Sequence, residues 1–267
     1  MLTEGIQLKV ADTLAQEGEY YRAVTEYKKF LIFFPESTRT DYVLFQMGMA
    51  YYKGEEYGPA AASFSRLREK YPQSELAPKG YYFEGLSYWK LKKYEESKTA
   101  FQGLAEAYPE STYAPLALVA GSLLALERDN PDASMKGLER LADRYPGDPD
   151  AKKAQEARDL LTKYQELPKK SKALAGVMSA IVPGTGYMYA EHYGDGITAF
   201  IINALFIAGT VTAIVKENYA VAGIVGGVGL PFYIGNIYGS ANAARKWNIG
   251  VQREYRDKIF ITVDFKF

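Results

Sequence analysis

Phe34-Pro35, Tyr71-Pro72, Tyr108-Pro109 and Tyr145-Pro146 recur at a constant spacing of 37 residues. Two residues beyond the proline stands Ser37, Ser74 or Ser111, and in the fourth case Asp148. A fixed period of this length marks stacked structural repeats, because one such unit cannot bury its apolar face alone and must lean on the next. Proline has no N–H and cannot continue a helix, so each dipeptide predicts a helix end. The serines and the aspartate are helix N-cap types and predict where the next helix begins.

Other positions hold the same register. A small residue falls at Ala11, Gly48, Gly85 and Ser122, followed three positions later by Leu14, Tyr51, Tyr88 and Ala125. A second small position is Ala23, Ala60, Ser97 and Ser134, followed by Tyr27, Phe64, Phe101 and Leu138. Each unit therefore predicts two helices, with small residues allowing close approach and large ones filling the space between. The fourth unit is degenerate: Pro131 stands where the others have Tyr20, Tyr57 and Tyr94. Four units and a closing helix at about 150–165 account for residues 1–165.

This order of small, aromatic, small, aromatic and proline resembles the tetratricopeptide repeat, whose usual period is about 34. The longer unit is similar to the tetratricopeptide domains of bacterial envelope proteins, including outer-membrane assembly lipoproteins and periplasmic coordinators of cell division. The resemblance implies a solenoid with a concave face lined by the first helix of each unit. Carried over, Phe45, Met49 and Tyr52 of unit two face that groove. So do Tyr82, Leu86 and Trp89 of unit three, and Leu116, Val119 and Leu123 of unit four. An aromatic groove suits a helix or an extended peptide of a protein partner. Packing against the neighbouring unit, or cover by the chain's own C-terminal half, are the competing readings.

Composition narrows the chemistry. The 267 residues include 23 tyrosines, one histidine and no cysteine. Disulfides and thiolate metal sites are excluded, and no metal or cofactor is expected. No catalytic constellation is visible, since the acids sit at turn and surface positions of the repeats; a non-enzymatic role is expected. Residues 1–167 carry 22 Lys+Arg against 26 Asp+Glu, and residues 168–267 carry 10 against 6. No nucleic-acid partner and no small-molecule substrate are indicated. No signal-peptide pattern is visible at Met1-Leu2-Thr3-Glu4, which leads straight into helical periodicity.

Beyond the repeats the pattern changes. Pro168 ends the last helix, and Lys169, Lys170 and Lys172 form a basic linker over 166–172, read as an anchor at a membrane surface. Residues 196–215 hold no charge, and neither do residues 219–240, with Lys216-Glu217-Asn218 between them. Twenty helical residues span about 30 Å, the thickness of a hydrocarbon core. Ala222/Gly226, Gly223/Gly227 and Gly235/Gly239 are small pairs at the spacing that lets membrane helices pack, and Pro231 is expected to kink the second. Together these predict a membrane hairpin domain over 173–250, preceded by a short interfacial helix at about 173–181.

Ahead of the hairpin, Pro183-Gly184-Thr185-Gly186, then Tyr189, lead to Asp195-Gly196. Here the sequence resembles small bacterial membrane domains that read P-G-x-G-x-x-Y, a polar turn with D-G, and two membrane helices, distantly of the two-helix TM2 type. The resemblance extends to Asn203, Asn236, Tyr238, Gly239 and Asn242; Tyr187 stands where those domains carry glutamine. The glycines predict a tight break. No Lys-Ser/Thr follows and no strand precedes, so the motif is not read as a phosphate loop. The asparagines are expected to make interhelical hydrogen bonds, and His192 to be an interfacial polar residue.

The end of the chain alternates Ile259, Ile261, Val263, Phe265 and Phe267 with Thr262, Asp264 and Lys266, which predicts a terminal strand in a polar tail over 251–267. The expected fold class is thus all-α, a solenoid followed by an interfacial helix, a transmembrane hairpin and a short strand. A hairpin puts repeats and tail on one side of a bacterial membrane. The repeat subtype and tail point to the periplasm, whereas the lysines, Arg245 and Lys246 at the hairpin's ends point to the cytoplasm. Two functions stand side by side: a membrane-anchored scaffold of the cell envelope whose repeats hold a protein partner, with lipid as its second contact, and a membrane-active subunit aiding transport or membrane-protein insertion.

Overall fold

The computed structural model of the chain describes residues 3–263, and all regular structure among them is helical. The chain divides into two compact units, one running to Leu161 and including the segment from Ile259, the other covering Thr162–Lys258.

The first unit is a row of helical pairs: α1 (Glu4–Gln16) with α2 (Tyr20–Phe33), α3 (Thr40–Lys53) with α4 (Tyr57–Lys70), α5 (Ala77–Lys90) with α6 (Tyr94–Ala107), and α7 (Tyr113–Glu127) with α8 (Pro131–Arg144). The closing helix α9 (Pro149–Gln165) buries Ala151, Ala154, Ala157, Leu161 and Tyr164, one stripe at three- and four-residue spacing.

The aromatic of each Phe/Tyr-Pro pair is the C-cap of the helix before it. Phe34, Tyr71, Tyr108 and Tyr145 all have φ near −130° and ψ near 60°. Clash with the following proline ring drives the preceding residue out of the α region, so the helix stops there. The serines do not cap the next helix as expected. The helices start later, at Thr40, Ala77 and Tyr113. Instead each serine closes the turn: the Ser37, Ser74 and Ser111 N–H groups donate back to Phe34, Tyr71 and Tyr108. Their hydroxyls accept the N–H two residues on, from Arg39, Leu76 and Tyr113, each at 3.2 Å.

Between the helices of a pair lies a second ruler. Gly18, Glu55, Lys92 and Asp129, again 37 apart, all have positive φ, from 56° to 83°. Only the first is glycine, although this conformation burdens any residue with a Cβ.

The core follows the register. Tyr27, Phe64, Phe101 and Leu138 are at most 1% exposed, and burying such a side chain contributes about 1.5–3 kcal/mol. The small positions face them. A Cβ on Gly48 would lie 2.5 Å from the Phe64 ring, and one on Gly85 2.6 Å from Phe101. Glycine is required there by contact with the ring rather than by backbone angle.

The second unit contains α10 (Lys172–Ile181), α11 (Thr185–Tyr189), α12 (Tyr193–Val215) and α13 (Tyr219–Thr262). Both α12 and α13 are long and apolar enough to cross a membrane. Their most apolar stretches are only 11% and 17% buried, so neither is wrapped as a soluble core helix is. They touch where Gly229 meets Phe206 and Gly226 meets Thr210, and Phe206 stacks on Phe232 at 5.3 Å. Gly223, Gly227 and Gly235 face open space.

The helix α13 continues for 44 residues, through Pro231 and the polar stretch after 250, to Thr262. This corrects the expected terminal strand over residues 259–262. Ile259 and Val263 are buried one helical turn apart, while Ile261, which a strand would place on the same face, is 77% exposed. No proline or glycine separates Gly250 from Thr262, so nothing stops the helix, and an i, i+4 pair satisfies the alternating letters as well as an i, i+2 one does. Phe265 and Phe267 lie outside the described residues.

Candidate functional site

In the repeats, the residues assigned to a groove divide by burial. Phe45, Leu86, Trp89 and Leu123 are at most 5% exposed, and Val119 is buried with them. Met49, Tyr52, Tyr82 and Leu116 are half-buried. The first helices pack both on their own pairs and on the neighbouring repeats, which draws Phe45, Leu86, Trp89, Val119 and Leu123 inward. Phe45 packs on Phe64 at 5.9 Å. Tyr52 sits edge-on between Tyr57 and Phe83, at 5.5 and 5.3 Å. Tyr82 touches Phe83, Phe101 and Tyr113 within 6 Å. Burial, reinforced by Tyr57, pushes the Tyr52 hydroxyl up to about 12.

Trp89 packs on Phe101 at 6.2 Å and on Phe260 at 6.4 Å, and its indole donates to the Glu127 carboxylate. Phe260 belongs to the last turn of α13, so part of the cover over this face comes from the C-terminal end of the chain. A second concavity, about 480 Å³, lies among α6, α7 and α8 and includes Lys98, Arg128, Lys136 and Arg140. Nothing in the repeat register marks it; its one local sign in the sequence is the i, i+4 pair Lys136 and Arg140 on α8.

In the second unit the P-G-x-G break is a place where backbones touch. Gly184 has φ +87°, and a Cβ there would lie 2.0 Å from the Gly196 carbonyl oxygen. A Cβ on Gly186 would lie 1.9 Å from the Ala175 oxygen. Asn236, 4% exposed, holds the break from α13: its amide oxygen accepts from Gly184 N–H at 2.9 Å and its NH2 donates to Ser179 O at 2.9 Å. Ser240 donates to Ala175 O at 3.1 Å, and Tyr233 to Ala180 O. Asn203 bonds within its own helix, to Ala199 O at 2.8 Å. His192 Nδ1 lies 3.2 Å from Asp195 Oδ2.

The basic linker is fixed within this unit. Asn248 pairs with both backbone groups of Lys170, at 2.8 and 2.9 Å. The Lys170 ammonium sits 4.1 Å from the Trp247 ring centre and 2.6 Å from Glu191, and that contact holds the Glu191 carboxyl below the usual range. Tyr189 accepts from Ser171 N–H at 3.0 Å; Tyr238 is exposed.

A cleft of about 610 Å³ opens among α11, α12 and α13. It gathers Asp195, Asn203, Asn236, Gly239 and Asn242 from the motif, together with Tyr187, His192 and Lys246. Among the described residues no group of His, Cys, Asp and Glu is set to hold a metal ion.

A family model described as "YfiO: Outer membrane lipoprotein" matches residues 8–164. No curated protein matches the chain. Among solved structures, a tetratricopeptide repeat protein from Parabacteroides merdae is 14% identical, with a TM-score of 0.50; the match covers 96% of this chain and 98% of that one. At this identity the likeness speaks for the fold.

Proposed function

The chain belongs to the YfiO outer membrane lipoprotein family, and from that membership we propose that it is a membrane-held scaffold of the bacterial cell envelope which takes a protein partner on its repeats. The observation that carries the membrane part is the unburied apolar surface of α12 and α13. Phe200, Leu205, Val211, Ile224, Val228 and Leu230 are 47–69% exposed along these two helices, a surface that water does not favour and hydrocarbon does. The partner part rests on Met49, Tyr52 and Tyr82, aromatic or flexible side chains held by their neighbours yet still reaching the surface, as binding anchors are. We put the repeats on the periplasmic side, in keeping with the outer membrane lipoprotein description of the family.

Two measurements test this. These 267 residues hold no cysteine, so in this chain Tyr21→Cys, at a residue 85% exposed on α2, gives a single labelling site. A membrane-impermeant maleimide is expected to label it in spheroplasts; labelling only after lysis puts the repeats in the cytoplasm and overturns the placement. A photo-crosslinking amino acid at Tyr52 or Tyr82 is expected to capture a discrete protein that the same probe at Tyr21 does not. Identical adducts at all three positions, or none, sink the scaffold reading.

A further inference from the structure

We propose that the cleft among α11, α12 and α13 binds an amino-phospholipid, with the phosphate at Lys246, the ammonium at Asp195 and an acyl chain along Ile202 and Phe232. The inference rests on the reading that α12 and α13 lie in a membrane. The cleft, about 610 Å³, is amphiphilic along its length: Asp195 and Lys246 lie toward one end of the two helices and Ile202, Pro231 and Phe232 toward the other.

The charged end falls at the depth where a headgroup belongs. Asp195 immediately precedes the uncharged run of α12, and Lys246 follows the uncharged run of α13 after Arg245, so both stand at the same, open end of the hairpin. Ionisable groups collect at this boundary because the hydrocarbon interior excludes them. Among the described residues no carboxylate pairs with Lys246. Asp195 takes His192 on one carboxylate oxygen, at 3.2 Å, which leaves the other for a donor. One cation and one anion at the mouth match a headgroup that carries both signs. A purely anionic headgroup would satisfy Lys246 but set its charge against Asp195, and like charges brought together disfavour the wrong partner. A quaternary ammonium has no N–H to give the carboxylate, so a primary amine fits better.

The test uses the full chain in nanodiscs made from equal parts of phosphatidylethanolamine, phosphatidylcholine and phosphatidylglycerol, with the lipid retained after mild detergent extraction identified by mass spectrometry. Phosphatidylethanolamine is expected in excess over its share. Asp195→Asn is expected to erase its preference over phosphatidylglycerol. Lys246→Gln is expected to lower retention of both about fivefold, the effect of one basic side chain near a lipid surface, and Lys246→Arg to restore it. Lipid held in the bulk ratio, or an unchanged preference in Asp195→Asn, overturns the proposal while leaving the membrane reading intact. A chain that does not enter nanodiscs overturns the membrane reading and the proposal with it.

Discussion

The Tyr145 hydroxyl donates to the carbonyl oxygen of Pro109 at 2.7 Å. One period earlier, Tyr108 donates to Pro72 at 3.0 Å. The dipeptide that ends a helix in one repeat is therefore also the stitch to the next. A second stitch repeats in the first half of the row: Ser37 donates to Glu4 at 3.0 Å, and Ser74 to Asp41, which is one period beyond Glu4, at 2.6 Å.

Removing the hydroxyl tests the stitch without touching the ring. Tyr145→Phe is expected to lower stability by about 0.5–1.5 kcal/mol, the net worth of one hydrogen bond. Urea denaturation measures it. A change no larger than that of an exposed control such as Tyr21→Phe would show that the bond adds nothing.

Two helical glycines beside Phe101 predict opposite signs. Gly85→Ala places a methyl 2.6 Å from the buried Phe101 ring, and overpacking of this kind costs about 1–3 kcal/mol. Gly121→Ala meets nothing nearer than 3.8 Å and is expected to stabilise the helix by up to about 1 kcal/mol. Thermal melts of the two variants should move in opposite directions from the parent.

The left-handed turn between paired helices predicts gains from glycine. Lys92 has φ +59° and Asp129 φ +56°, where a Cβ costs about 1–2 kcal/mol. Part of that relief is lost to the greater freedom of glycine in the unfolded chain. Lys92→Gly is expected to raise the melting temperature by a few degrees; a lowered one would mean that the lysine side chain matters more than its backbone.

Alkaline pH offers a test of the aromatic face. The ordinary tyrosine value is 10.0, and burial lifts Tyr52 to about 12. The folded state holds this proton when the unfolded chain has released it. The stability that Tyr52 contributes is thus complete below about pH 10 and is lost as pH rises toward 12. Tyr52→Phe should flatten the fall in unfolding free energy across that interval. An unchanged slope would show that Tyr52 titrates as an exposed tyrosine.

Much of the first unit was readable because its information is local and repeated. Proline ends a helix wherever it stands, and a 37-residue echo of small and aromatic residues leaves few other ways to pair helices. The second ruler is not legible in the letters because three of its four members, Glu55, Lys92 and Asp129, are not the residue that positive φ favours; packing of the paired helices imposes the turn on them. The serines read as N-caps from the sequence, because a hydroxyl that accepts an N–H suits a cap or a turn equally; only the structure shows that they close the turn after the proline.

At the candidate sites the sequence showed chemical type, and the tertiary structure showed position. Aromatic residues on the first helices were plain from the repeat register, yet only packing decides that Phe45 and Trp89 are interior while Tyr52 and Tyr82 reach the surface.

The sequence by itself determined the repeat length, the helix pairs, the helix-ending prolines and the two uncharged runs, all of which follow from a residue's own geometry or from its neighbours within a few turns. Only the tertiary structure decided that Asn236 bonds the Gly184 break from 52 positions away, that Phe260 covers Trp89, and that the alternating end of the chain continues a helix. Those outcomes depend on which surfaces meet, and the same letters permit a strand or a helix until a partner surface selects the one that buries Ile259 together with Val263.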